Sequence, residues 1–112
     1  MGLKCRVTGD VLVVAVDLSR IDAAIAIQFK EDMRSETQTG PDRVILDLSK
    51  VDFIDSSGLG AIVAVRKQLG DARRLDLSGL TPTVKKVFQL TRMDTVFKIF
   101  PDLDDAMAAT AS

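Results

Sequence analysis

Val44-Ile45-Leu46-Asp47-Leu48-Ser49-Lys50-Val51-Asp52-Phe53-Ile54-Asp55-Ser56-Ser57-Gly58-Leu59-Gly60-Ala61 holds the transition on which the fold turns. Its first five residues form a short, nearly continuous apolar run, the mark of a central strand covered on both faces. Its far end opens a helical stripe made of Leu59, Ile62, Val63, the stem of Arg66 and Leu69, which Gly70-Asp71 stops. A buried strand that passes through a polar turn into an amphipathic helix belongs to an α/β sheet with crossover connections.

The pattern extends outward in both directions. Residues 4–8 and 11–16 flank Gly9-Asp10 and predict a β-hairpin, with the turn type left open because Gly-Asp is a less typical order than Asp-Gly. Ile21, Ile25, Phe29 and Met33 recur four apart with Ala24 beside them, which predicts a helix capped by Ser19 or Asp22. The polar residues 35–39 and Gly40-Pro41-Asp42 end it. Downstream, Leu75-Asp76-Leu77 reads as a strand, and Thr81-Pro82 starts a short helix with Val84, Val87 and Phe88 on its apolar face. Residues 96–100 read as a final strand. Pro101-Asp102 opens a last helix carrying Leu103, Ala106 and Met107, and residues 108–112 read as a frayed tail. The order ββαβαβαβα predicts a mixed, mostly parallel sheet of about five strands opened by a hairpin, with about four helices. Residues 1–112 leave room for one domain only.

Composition narrows the chemistry. There is no His and only one Cys, which removes Cys/His zinc sites and both Ser-His-Asp and Cys-His catalysis. A lone Cys cannot close an internal disulfide and agrees with a reducing compartment; Cys5, in a predicted strand, reads as an inert, half-buried thiol. With net charge −1 and no basic stripe interleaved with aromatics, nucleic acid is not an expected partner. The pairs Arg66-Lys67, Arg73-Arg74 and Lys85-Lys86 read as solvated helix faces and turn residues. No apolar run approaches the about 20 residues of a membrane span. The N-terminus lacks a signal-peptide core, and Arg6 stands where a myristoylation signal wants Ser or Thr, so a cytoplasmic protein without membrane insertion is expected.

The turn before the second long helix is where chemistry could sit. A hydroxyl at a helix N-terminus accepts from free backbone N–H groups, so Ser56 or Ser57 is a natural N-cap. The same N–H groups and the helix dipole favour a negative charge, so a phosphate bringing about −1.5 to −2 charges is tolerated on Ser56. Gly58 and Gly60 keep bulk away and would let a second protein's backbone approach. As an active site the turn is poor. Ile54 breaks the Gly-x-Ser-x-Gly nucleophile pattern, no phosphate-binding loop or dinucleotide fingerprint is present, and the only bases are Asp52 and Asp55. No cofactor is called for. On motif content alone, Asp-Ser-Ser-Gly is also plain capping chemistry.

Residues 44–61 resemble the signature of STAS-domain anti-sigma factor antagonists: an apolar strand, Asp-Leu, then Phe-Ile/Met-Asp-Ser-Ser-Gly-Leu-Gly. The flanks are similar too, through residues 20–24, residues 83–90, Met93 and residues 96–99. The resemblance implies a STAS fold with Ser56 as phosphoacceptor. It implies that Asp22, Asp52, Asp55, Ser57, Gly58, Leu59 and Gly60 support the phosphosite or bind the partner. The implied partners are an anti-sigma factor with serine/threonine kinase activity, bound by the unphosphorylated form so that the sigma factor is freed, and a metal-dependent Ser/Thr phosphatase that restores that form. The turn at residues 17–22 departs from the family's usual Gly-Glu-Leu-Asp, which alters the loop beside the presumed docking face. A different reading keeps the fold but makes the chain a subunit of a larger lipid-transport or stress-sensing complex, with Ser56 only a helix cap.

Overall fold

Alternating apolar side chains build the hairpin first. In the computed structural model, which describes residues 2–109, β1 (Leu3–Thr8) and β2 (Val11–Val16) pair antiparallel from Leu3↔Val16 to Thr8↔Val11. Gly9 alone of the two turn residues has a positive φ, 60°, as a turn with glycine at its first central position requires. There follow β3 (Arg20–Ile21), α1 (Ala23–Glu36), β4 (Arg43–Asp47), β5 (Phe53–Ile54), α2 (Ser56–Leu69), β6 (Arg74–Ser78) and α3 (Pro82–Leu90). A 3-10 turn (Met93–Thr95), β7 (Ile99–Phe100) and α4 (Leu103–Ala108) complete the chain. The main sheet runs β1-β2-β4-β6-β7, and only its β1–β2 pair is antiparallel. The mixed, mostly parallel α/β sheet with four helices is therefore as the residue pattern predicts. β3 and β5 form a separate two-stranded parallel sheet that no periodicity announces, because two residues carry no period.

The period of two along the strands sorts the core into two layers. Leu12, Val14, Val16, Val44 and Leu46 face the larger cluster, where α1 contributes Phe29 and Met33, α2 Ile62 and Val65, and α3 Val84 and Phe88. Val11, Val13 and Ile45 face the other way, onto Ala106 of α4 with Leu103 and Met107 alongside. Each such buried side chain contributes roughly 1.5–3 kcal/mol. β1 has only β2 as a neighbour, and past Leu3 its residues are exposed.

The smaller layer is held by charge as well as by apolar contact. Arg43 and Asp76 are 5% and 1% exposed and meet through Nε and Nη2, each 2.9 Å from Oδ2. Arg74 Nε donates to the other carboxylate oxygen at 2.9 Å. The Arg43 guanidinium also donates to the carbonyls of Ala106 and Ala109, both at 2.9 Å, and lies 5.9 Å from the centre of the Phe100 ring. One side chain thus pairs with a buried carboxylate and bonds one carbonyl in the last turn of α4 and that of the residue after it. That helix has six residues, too few to stand on propensity alone.

Several expectations need correction. Ile21 belongs to β3 and not to the helix; α1 buries Ala26, Phe29 and Met33, while Ala24 is exposed. The strand expected over residues 96–100 is confined to Ile99–Phe100. The 3-10 turn takes up Val96, whose N–H donates to Met93 at 3.0 Å, and Phe97 turns inward onto Phe88 with ring centroids 6.0 Å apart. Arg73 and Arg74 are half-buried structural groups: Arg73 donates to the carbonyls of Thr37 and Pro41 and ties down the chain that follows α1. Cys5 is exposed, not half-buried. Local desolvation and the Glu36 carboxylate nevertheless push its thiol up to about 11, so it stays protonated at neutral pH. Of the predicted frayed tail, Ala108 ends α4, Ala109 follows it, and residues 110–112 lie outside the described residues.

Asp76→Asn leaves the buried Arg43 charge uncompensated and is expected to cost about 3–5 kcal/mol in urea unfolding. Joint replacement by Arg43→Met and Asp76→Leu removes the uncompensated charge but also the Arg43 bonds to the Ala106 and Ala109 carbonyls, and is expected to recover only part of that loss. A single-variant cost under about 1 kcal/mol would show that the pair is not sealed from water.

Candidate functional site

The site forms where β3 and β5 bring two helix starts together. Their parallel register sets Arg20 beside Phe53 and Ile21 beside Ile54. The two isoleucines are buried, and α1 and α2 each begin within two residues of them. Asp55, extended at φ −106° and ψ −174°, is the N-cap of α2. Its Oδ1 accepts from the Gly58 N–H at 2.8 Å, and its Oδ2 accepts from the Ala23 N–H at 3.1 Å, in the first turn of α1. One carboxylate therefore serves two helix N-termini, where the positive dipole ends favour it. Asp22 is the N-cap of α1: it accepts from the Ala24 N–H at 3.1 Å and pairs with Arg20 Nε at 2.8 Å.

This arrangement corrects the expected cap. Ser56 and Ser57 occupy the first two positions of α2, after the cap. Both are exposed, and among the described residues neither hydroxyl makes a hydrogen bond. Aspartate and serine cap about equally well, but Asp55 lies where a single carboxylate reaches both helices, so it takes the position. Ser56 is therefore the first residue of α2 and not its N-cap.

Gly58 and Leu59 are corrected as well. A Cβ on Gly58 would lie 2.0 Å from the Ile21 carbonyl oxygen, so the close backbone approach that demands glycine is internal, between α2 and β3. Leu59 is buried in the main core. Gly60 is exposed with open space around it. Of the residues singled out in the sequence, Asp22, Asp55, Gly58 and Leu59 thus hold the turn in shape. Asp52, Ser56, Ser57 and Gly60 face solvent.

Two further residues belong to this surface. Phe53 is 42% exposed, and the Arg20 guanidinium lies over its ring at 5.0 Å. Such stacking holds an arginine and an aromatic face in place beside the serines. The signal for Phe53 was weak: with Ile54 turned inward, a two-residue strand must turn Phe53 outward. The unusual 17–22 turn borders the same surface, since the Asp52 N–H donates to the Ser19 carbonyl at 2.7 Å. Asp17 is drawn toward Lys50 and Lys4, at 3.4 and 3.5 Å, and those ammonium groups hold its carboxyl below the usual range.

A family model described as the STAS domain matches residues 3–106. The chain belongs to the STAS family. This STAS chain is 31% identical over 101 residues to BtrV of Bordetella bronchiseptica, described as an anti-sigma factor antagonist, covering 89% of this chain and 87% of that protein. It is 25% identical over 87 residues to the anti-sigma-F factor antagonist RsfB of Mycobacterium tuberculosis, covering 78% of this chain and 71% of RsfB. Among solved structures, an anti-sigma factor antagonist from Mycobacterium paratuberculosis superposes with a TM-score of 0.88 at 27% identity, covering 98% and 93% of the two chains. Unphosphorylated SpoIIAA superposes at 0.74 over 94% and 92% of the two chains, and at 23% identity it shares the STAS fold.

The geometry separates holding from facing, and unfolding experiments read that separation. Asp55→Ala is expected to cost about 0.5–2 kcal/mol for each of the two caps it removes. Gly58→Ala is expected to cost about 1–3 kcal/mol or more through overpacking. Ser56→Ala is expected to stay within about 0.5 kcal/mol of the parent. A Ser56→Ala cost equal to that of Asp55→Ala would assign the cap to the hydroxyl after all.

Proposed function

We propose that this STAS domain, acting as one unit over residues 1–112, is a regulatory anti-sigma factor antagonist switched by phosphorylation of Ser56. The observation that carries the reading is the unengaged Ser56 hydroxyl: it is exposed at the start of α2 while Asp55 does the capping. Support for the class of function comes from the relatives named as anti-sigma factor antagonists. In the unphosphorylated state the chain binds an anti-sigma factor that is also a serine/threonine kinase, and the sigma factor is released. The partner meets Asp52, Phe53, Ser56, Ser57 and Gly60, and the Arg20–Phe53 stack gives it a rim of one aromatic face and one cation. No catalytic group of this chain is needed, and the setting is the cytoplasm.

The switch is local chemistry. The kinase draws the proton from Ser56, whose Oγ bonds to the γ-phosphorus of ATP as the bridging oxygen bond breaks and ADP leaves. The product dianion sits over the first N–H groups of α2, which lack intrahelical partners and carry the positive end of the dipole. The helix therefore tolerates it. The partner does not, because about two negative charges now stand beside Asp52 and Asp55 on a surface shaped for a neutral hydroxyl. A metal-dependent phosphatase reverses the state by hydrolysis.

Intact-mass measurement after incubation with ATP and kinase-type anti-sigma factors is expected to give one phosphate on the parent chain and none on Ser56→Ala. Ser56→Asp is expected to weaken kinase binding by about tenfold or more. Full binding by Ser56→Asp, or phosphate that persists in Ser56→Ala, would overturn the assignment.

A further inference from the structure

At the opposite end of α2 lies a second polar concavity, distinct from the Ser56 surface. α2 has 14 residues, so its two ends are about 20 Å apart. A groove of about 520 Å³ opens there, lined by Arg66, Lys67, Arg73 and Arg74, with Asp71, Asp76 and the apolar Val96 among its other walls. That volume is of the size typical of ligand clefts.

The charges in this groove are not balanced internally. Asp76 is already held by Arg43 and Arg74. Among the described residues, Arg66, Lys67 and Arg73 take part in no ion pair. The Arg73 Nε is buried without a hydrogen-bond partner, although both terminal nitrogens of that guanidinium are engaged. The exposed Arg66 guanidinium lies 6.0 Å from the centre of the Phe97 ring. The negative end of α2 offsets part of this charge, but a helix end carries only about half an elementary charge. The exposed Asp71 at the rim offsets one more. A net positive charge remains on one concave wall, with the exposed Arg66 and Lys67 presenting it to solvent.

We propose that this groove binds a small polyphosphate anion, an oxyanion chain with several charges and no recognised base. The exposed Arg66 fork can match two phosphate oxygens and Lys67 adds a point charge, while Arg73 and Arg74, whose donors are engaged by Thr37, Pro41 and Asp76, contribute charge to the wall. Nothing here suits a nucleobase: the lining residues include no aromatic ring, and the nearby Phe97 is 4% exposed. Its existence does not depend on Ser56 being a phosphoacceptor.

Calorimetric titration with sodium tripolyphosphate at low salt is expected to give saturable binding to one site, with amide shifts in NMR spectra confined to residues 66–76 and their neighbours. The exposed double replacement Arg66→Gln with Lys67→Gln is expected to weaken binding about tenfold or more, with a cooperative unfolding transition retained and only the modest loss of stability that removing cations from a helix C-terminus implies. Lys85→Gln with Lys86→Gln removes the same charge from α3 and is expected to change it by less than about twofold. Ser56→Asp is expected to bind as the parent does, so failure of the switch leaves this result intact. Equal losses in the two charge-matched pairs, absence of saturation, tighter binding of ATP than of tripolyphosphate, or tighter binding of an oligoglutamate peptide would each overturn the proposal.

Discussion

The carboxylate of Asp55 has two oxygens and gives one to each of two helices. α1 and α2 have 14 residues each, a length at which an isolated helix in water is marginal. Both depend on packing and on a satisfied first turn, and a single side chain supplies part of that to both. The geometry holds only because β3 and β5 lie side by side, and because Gly58 lets α2 close onto the Ile21 carbonyl. Cap, two-residue sheet and glycine contact form one knot. The main sheet hangs from it through the buried pair Ile21 and Ile54 and the core beneath.

The other face of the sheet solves its problem with charge. α4 is short and covers that face through few apolar residues, so Arg43 carries a share that a longer helix would take by area. Removing its partner is costly because a desolvated guanidinium is left behind. The same network fixes Arg74 at one wall of the basic groove, so the lock on α4 and the shape of that groove share a residue. The two ends of α2 thereby differ in kind. Its start offers uncharged hydroxyls over a positive dipole, and its finish offers cations over a negative one.

Long periodic segments were legible in the amino-acid sequence because burial there repeats with the period of the element. The valines of β2, the run at residues 44–48 and the stripes of α1 and α2 are of this kind. Three features escaped for identifiable reasons. Strands of two residues contain no period. Capping preference does not rank Asp55 against Ser56, since both are good caps and only the position of α1 decides between them. The final strand was overdrawn because Phe97 is buried as an anchor onto Phe88 rather than as part of a ladder. A sharper hint lay in Asp76. A carboxylate between Leu75 and Leu77 in an apolar strand requires a cationic partner, though only the fold shows that Arg43, 33 residues away, supplies it.

Division of labour within the Asp55-Ser56-Ser57-Gly58 turn also bears on how such a protein can change over generations. Most substitutions are removed because they push a protein below the stability it needs. Positions 56, 57 and 60 face solvent and contribute little to holding the turn, so they can vary with little penalty from folding. Positions 55 and 58 cannot. A lineage can therefore retune which partner it meets, residue by residue, on a platform that stays rigid while its contacts are rewritten.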